Sequence, residues 1–206
     1  MSKIALSITG VLLLALAGCG GHIRFDIENK GSFADMPEGR TAVLRVTAEK
    51  PAPGKTGHVT WGAINTTDVT RRFAACVAHA AAQEGAMEVM PALKVEQALY
   101  GLAPEPTLQP TDEQLRRYAA ELDLSSYLMA DVRCSRLRYV LFWSWASVEY
   151  ALSCHDARDG SLLWRADVEF RDRLVSDQEA IHEALRRTFR WLRRNSEGKE
   201  SPSRCG

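Results

Sequence analysis

Two periods alternate along this chain. Thr41 to Glu49 repeats every second residue, with Ala42, Leu44, Val46 and Ala48 on one side and Arg45, Thr47 and Glu49 on the other, which predicts a half-buried strand. The period then lengthens: Val69, Phe73, Cys76, Val77 and Ala80 recur at helical spacing behind a Thr67 or Asp68 cap, and Gly85 ends the run. A short apolar segment, Met87 to Met90, leads through Pro91 into a helical stretch from Leu93 to Leu102. Pro104, Pro106 and Pro110 forbid regular structure after it. Thr111 opens a further helix, with Asp112 and Glu113 in its first turn and Leu115, Tyr118, Ala119 and Leu122 as its inner stripe.

From Tyr127 the period returns to two. Leu128, Ala130, Val132 and Cys134 share a face; so do Val148, Tyr150, Leu152 and Cys154, and then Leu162, Trp164, Ala166, Val168 and Phe170. Such alternation predicts antiparallel strands with one face on a core and the other in water. The connections fall around Ser144 and at Arg158-Asp159-Gly160. Ser176 caps a last helix, whose stripe is Ile181, Leu185, Phe189 and Leu192 and whose arginines gather towards a solvated C-terminal end. The order is strand, helix, short strand, two helices, three meandering strands, helix. It predicts an α+β, two-layer α/β sandwich: one mixed, largely antiparallel sheet with helices packed on one face.

The segments outside this domain carry the address. Lys3 precedes an apolar run from Ile4 to Leu16, roughly a dozen residues, whereas spanning a bilayer takes about 20. This is signal-peptide anatomy. The run ends in Leu16-Ala17-Gly18-Cys19, which resembles the lipobox of bacterial lipoproteins. That resemblance implies cleavage before Cys19 and a covalent diacylglycerol and acyl lipid on its sulfur, with no other cofactor. Gly20 stands where inner-membrane lipoproteins often carry aspartate, which implies an outer-membrane protein facing the periplasm. The expected organisation is a signal peptide over 1–18, a lipidated flexible tether over 19–40, a single domain over 41–195 and a disordered tail over 196–206.

Composition narrows the partners. Lys and Arg number 26 and Asp and Glu 26, so no single-sign field favours nucleic acid. The cysteines after Cys19 are Cys76, Cys134, Cys154 and Cys205, and their spacing matches no zinc signature, so no metal site is expected.

Two local signatures carry a family resemblance. Val89-Met90-Pro91-Ala92-Leu93-Lys94-Val95-Glu96-Gln97-Ala98-Leu99 reads as a strand, a proline and a helix ending in leucine. Leu115 to Tyr127 joins, through the hairpin, to Asp156-Ala157-Arg158-Asp159-Gly160-Ser161-Leu162-Leu163-Trp164. Together they resemble a group of envelope lipoprotein domains. It includes the curli secretion channel lipoprotein, the Pel polysaccharide lipoprotein, the lipoprotein activators of peptidoglycan synthases and the amino-terminal domain of TolB. The likeness runs from Thr41 to Trp191. Asp123-Leu124-Ser125-Ser126 departs from it, where the group usually carries Gly-Ala-Asp. Members act by assembling or by touching partners, so the resemblance implies no catalytic residue and an envelope protein partner or homo-oligomer.

Two features stay open at this level. Cys134 and Cys154 lie opposite one another if the hairpin centres on Ser144; a disulfide, two buried thiols, or a redox or metal site with His155 are the alternatives. The segment from Arg136 to Trp145 puts Phe142, Trp143 and Trp145 at a tip beside Arg136 and Arg138, where turn residues are usual. Those side chains either fold back over the domain's own helices or meet a protein or a membrane. The leading expectation is therefore a non-enzymatic, membrane-anchored lipoprotein, an assembly or accessory subunit of an envelope export or cell-wall complex. The alternative is an envelope thiol/redox protein or enzyme using Cys134 or Cys154. A ligand pocket between helices and sheet is a third reading, for which the sequence offers no specific polar constellation.

Overall fold

The computed structural model describes residues 22–29, 38–48, 66–102, 110–140, 143–173 and 176–196. The elements are β1 (His22–Asn29), β2 (Thr41–Ala48), α1 (Thr66–Glu84), α2 (Ala92–Leu102), α3 (Asp112–Glu121), β3 (Ser126–Val140), β4 (Trp143–Asp156), β5 (Leu162–Arg173) and α4 (Asp177–Ser196). The sheet runs β1-β5-β4-β3-β2. Every pairing is antiparallel except β2 with β3, which is parallel and needs the long crossover that α1, α2 and α3 supply. This is the expected α+β architecture with one mixed sheet.

The helix ends follow local chemistry. Thr111 forms a full capping box with Gln114: its Oγ1 accepts from Gln114 N at 3.3 Å, and its own N–H donates to Gln114 Oε1 at 2.8 Å. Ser176 does the same with Glu179 at the start of α4. Gly85 ends α1 at φ +60, a left-handed conformation that glycine adopts without steric cost.

The main core lies between the sheet and the helix pair α1 and α4. Phe73 and Val77 of α1 and Ile181, Leu185 and Phe189 of α4 pack on Leu128, Val148, Tyr150, Leu152, Trp164 and Phe170. Burying each large apolar side chain contributes roughly 1.5–3 kcal/mol. The polar group inside is satisfied: Thr188 Oγ1 donates to Ala184 O at 2.9 Å and so accepts from Tyr150 Oη at 2.9 Å.

Three expectations change. First, the stretch expected as tether contains β1, the edge strand paired with β5 from His22 opposite Arg171 to Asn29 opposite Trp164. Ile23 and Phe25 pack against the main core, and Phe25 stacks on Trp191 at 6.2 Å. Cross-strand pairs Arg24 with Glu169 and Glu28 with Arg165 match charge with charge. Flanking glycines hide a clear period of two.

Second, β2 is buried on both sides over its first half. A bulge between Val43 and Arg45 splits its apolar residues. Val43 and Val46 join the main core, while Ala42 and Leu44 join a smaller cluster with Val95, Leu115, Tyr118 and Tyr127. Tyr127 neighbours the core-facing Leu128 on β3, so this cluster occupies the other face of the sheet. The helical layer expected on one face thus holds for α1 and α4, while α2 and α3 cover a corner of the opposite one.

Third, the β3–β4 connection is not centred on Ser144. Val140 pairs with Trp143 and Tyr139 with Ser144, leaving a two-residue connection, 141–142, outside the described residues. The stretch expected as an irregular tip is mostly regular strand.

Candidate functional site

The register puts two chemically different ends on the meander. One row across the sheet joins His22, Arg171, Ser147 and Arg136. β1 and β4 are both antiparallel to β5, so they run the same way, and the β3–β4 tip lies on the side of the sheet from which the chain enters β1. Cys19 lies outside the described residues but is three positions before His22, at most about 10 Å of chain. The tip therefore lies at the end of the sheet where β1 begins, and the cysteine expected to carry lipid precedes that strand by three positions.

At that end Arg136 pairs with Ser147, Arg138 with Trp145 and Val140 with Trp143. Next along β4, Ala146 and Val148 belong to the main core. The side chains of Arg136, Arg138, Trp143 and Trp145 lie outside the described residues. Phe142 lies outside the described residues.

The register also overturns the expected Cys134–Cys154 disulfide. Cys154 is opposite Leu128, and Cys134 is opposite Glu149. Six residues of strand, about 20 Å, separate the two rows, whereas a disulfide needs Cα atoms within roughly 7 Å. A bulge between Val132 and Cys134 further moves Cys134 into the row of the opposite face. Cys154 is a free thiol with no solvent exposure, and burial pushes its pKa up to about 12. It stays protonated, so it has no thiolate to act as a nucleophile. Cys76 is likewise free and half-buried, and burial pushes its thiol up. Cys205 lies outside the described residues.

His155 does not complement Cys154. It is on the other face, stacked on Tyr127 at 5.3 Å, with Nδ1 bonded to Gly160 O at 3.1 Å and Nε2 to Ser153 Oγ at 3.1 Å. Burial holds its pKa below the usual imidazole value. Among the described residues, no three His, Cys, Asp or Glu side chains gather in a way that would hold a metal ion.

The opposite end of the meander is polar and closely bonded. Asp156 accepts from Arg158 N at 2.8 Å, Nε at 3.2 Å and Nη2 at 3.0 Å, and the Arg158 guanidinium holds its carboxyl below the usual range. Asp159 accepts from Ser161 N at 2.8 Å, and Gly160 takes φ +76 as the sequence predicts for the turn. Beside it lies a cavity of about 340 Å³, lined by side chains that include Arg45, Asp112, Arg116, Tyr127 and His155. Nothing in the linear sequence announced this group, because its members come from β2, α3, β3, β4 and a turn.

The arginines of α4, expected as a solvated helix end, partly are not. Arg190 Nη2 and Nε meet the buried carboxylate of Glu84 at 2.9 and 3.1 Å, Arg186 Nη1 approaches it at 3.5 Å, and Arg193 Nη1 donates to Glu84 O at 2.7 Å. They fasten α4 to the end of α1 and pair its buried carboxylate.

Solved structures share this fold. A chain of the PelC dodecamer from Paraburkholderia phytofirmans is similar at TM-score 0.54 and 12% identity, over 84% of this chain and 99% of that one. Lipoprotein GNA1162 from Neisseria meningitidis aligns at TM-score 0.46 and 16% identity, over 74% of this chain and 96% of that one. The C-terminal domain of LpoB from Salmonella enterica aligns at TM-score 0.37 and 14% identity, over 66% and 82%. The resemblance carried by the sequence motifs thus holds at the level of the fold. No family model and no curated protein sequence matches the chain. Among the described residues, no helix is long and apolar enough to cross a membrane.

Proposed function

We propose that this chain is a non-enzymatic lipoprotein, held by lipid on Cys19 at the periplasmic face of the outer membrane, that serves as an assembly or accessory subunit of an envelope export or cell-wall complex. The observation that carries the proposal is the shared end of the sheet. β1 begins three residues after Cys19, so a lipid there would hold the folded domain within about 10 Å of the bilayer rather than on a long leash. Arg136, Arg138, Trp143 and Trp145 belong to the same end, and tryptophan with arginine suits an interface where apolar and wet surfaces meet. The fold shared with a chain solved as a dodecamer supports association with copies of itself or with envelope proteins. The protonated, buried thiol of Cys154 weighs against the redox alternative.

A photo-crosslinking residue placed at Trp143 or Trp145 in the acylated protein tests the reading in intact envelopes. Adducts with a second copy or with an envelope protein, lost with Cys19→Ala, are the expected result. A native mass showing monomer alone, together with no adduct from either position, would overturn it.

A further inference from the structure

We propose that the cavity at the β4–β5 turn end is a binding subsite for a neutral saccharide. At about 340 Å³ it lies at the lower end of the range for small-ligand pockets, roughly 300–1,000 Å³, a fit for one or two sugar rings rather than a large cofactor. Its chemistry is mixed on purpose-built terms for hydroxyl groups, each of which both donates and accepts. Arg45 and Arg116 bring guanidinium donors, and Asp112 and Asp159 bring carboxylate acceptors. The two cations and two anions balance, so the site has no net charge to select phosphate or another small anion.

One group in the wall asks for an occupant. Tyr127 is 2% exposed, yet its hydroxyl lines the cavity and makes no hydrogen bond among the described residues. That hydroxyl is a donor placed for a ligand oxygen. Burial raises the phenol's pKa, so it is a donor at any physiological pH. Arg116 also makes no hydrogen bond or ion pair among the described residues, and its stem lies beside Gly160, where a Cβ would meet Arg116 Cδ at 3.6 Å. That stem and Met129 supply apolar surface for the C–H face of a sugar ring. Asp159 accepts from the backbone N–H and the side chain of Ser161, which fixes its carboxylate beside the cavity.

The position adds to the case. The cavity lies about twelve residues along β4 from the tip, roughly 40 Å, at the end of the domain far from Cys19. A glycan could reach it while the other end stays at the membrane.

Calorimetry on the full mature chain in detergent tests the proposal, with N,N′-diacetylchitobiose and inorganic phosphate as probes. Saturable binding of the disaccharide and none of phosphate is expected. Arg116→Met keeps the stem and Tyr127→Phe keeps the ring, and each is expected to weaken binding about tenfold. Asp159→Asn retains the Oδ1 acceptor for the turn and is a second route should either variant fold poorly. The proposal is overturned by phosphate binding alone, by no binding of the disaccharide, or by disaccharide binding that all three variants leave unchanged. The unliganded melting temperature of each variant separates lost binding from lost folding.

Discussion

The two ends of the β3-β4-β5 meander are built on opposite plans. The β4–β5 turn is a set of closed local bonds: Asp156 forks onto Arg158, Asp159 holds Ser161, and Gly160 provides the positive φ. The β3–β4 end carries Trp143, Trp145, Arg136 and Arg138, with Trp143 opposite Val140, Trp145 opposite Arg138 and Arg136 opposite Ser147. At the turn, local bonds hold the backbone beside the cavity in shape without help from another protein. An end rich in apolar and cationic side chains gains by meeting one, and the difference teaches where to look for the protein's contacts.

Replacing tryptophans at the two ends offers the strongest contrast. Trp164, near the polar turn, is 1% exposed in the main core, and Trp164→Ala is expected to cost about 3–5 kcal/mol in urea denaturation. The contact role proposed for the tip predicts that Trp143→Ala and Trp145→Ala cost no more than about 0.5 kcal/mol. A loss at the tip as large as that at Trp164 would mean the tip has a core of its own, and the contrast would collapse.

A membrane role for the tip predicts a smaller but separate effect. In a Cys19→Ala background, where lipid cannot mask it, Trp143→Ala with Trp145→Ala is expected to weaken binding to anionic vesicles about tenfold, near 1.4 kcal/mol. Unchanged cosedimentation would assign the tip to a protein contact instead. At the turn end, Gly160→Ala forces a Cβ into a left-handed conformation and towards Tyr127 Oη at 3.3 Å. The expected cost is about 1–2 kcal/mol, read from the unfolding midpoint.

The gentlest test of the turn end is acid. Asp156, held down by Arg158, and Asp159, held down by the Ser161 N–H, have folded pKa values below their unfolded ones near 3.9. The unfolded chain then binds more protons, so their stabilisation is complete above about pH 5 and is lost as pH falls through the folded values. His155, held neutral by burial, shifts the same way: protonation of the unfolded chain near pH 6.5 begins to favour unfolding. Stability should decline slightly below about pH 6.5 and steeply below about 4. His155→Gln should remove the upper part alone, and a profile unchanged in that variant would refute the assignment to His155.

Much of the fold was legible because it is local. The helical stripes of α1, α3 and α4, the Thr111 and Ser176 caps, and the Asp159-Gly160 turn each depend on residues within a few positions of one another. β1 was equally legible in Ile23, Phe25 and Ile27, and the glycines around it concealed it. The cysteine pairing failed for a different reason. A tip displaced by a few residues from Ser144 shifts every rung of a long hairpin, and a single bulge near Arg133 reverses which residues face the core.

The sequence by itself determined the α+β class and most of the residues of the core stripes, since these rest on patterns confined to short windows. Only the tertiary structure decided that β1 joins the sheet, that the β3–β4 tip lies at the end where β1 begins, and that Arg45, Arg116, Tyr127 and Asp159 surround one cavity. Register and long-range closure bring those groups together, and neither is written in the spacing of any one segment.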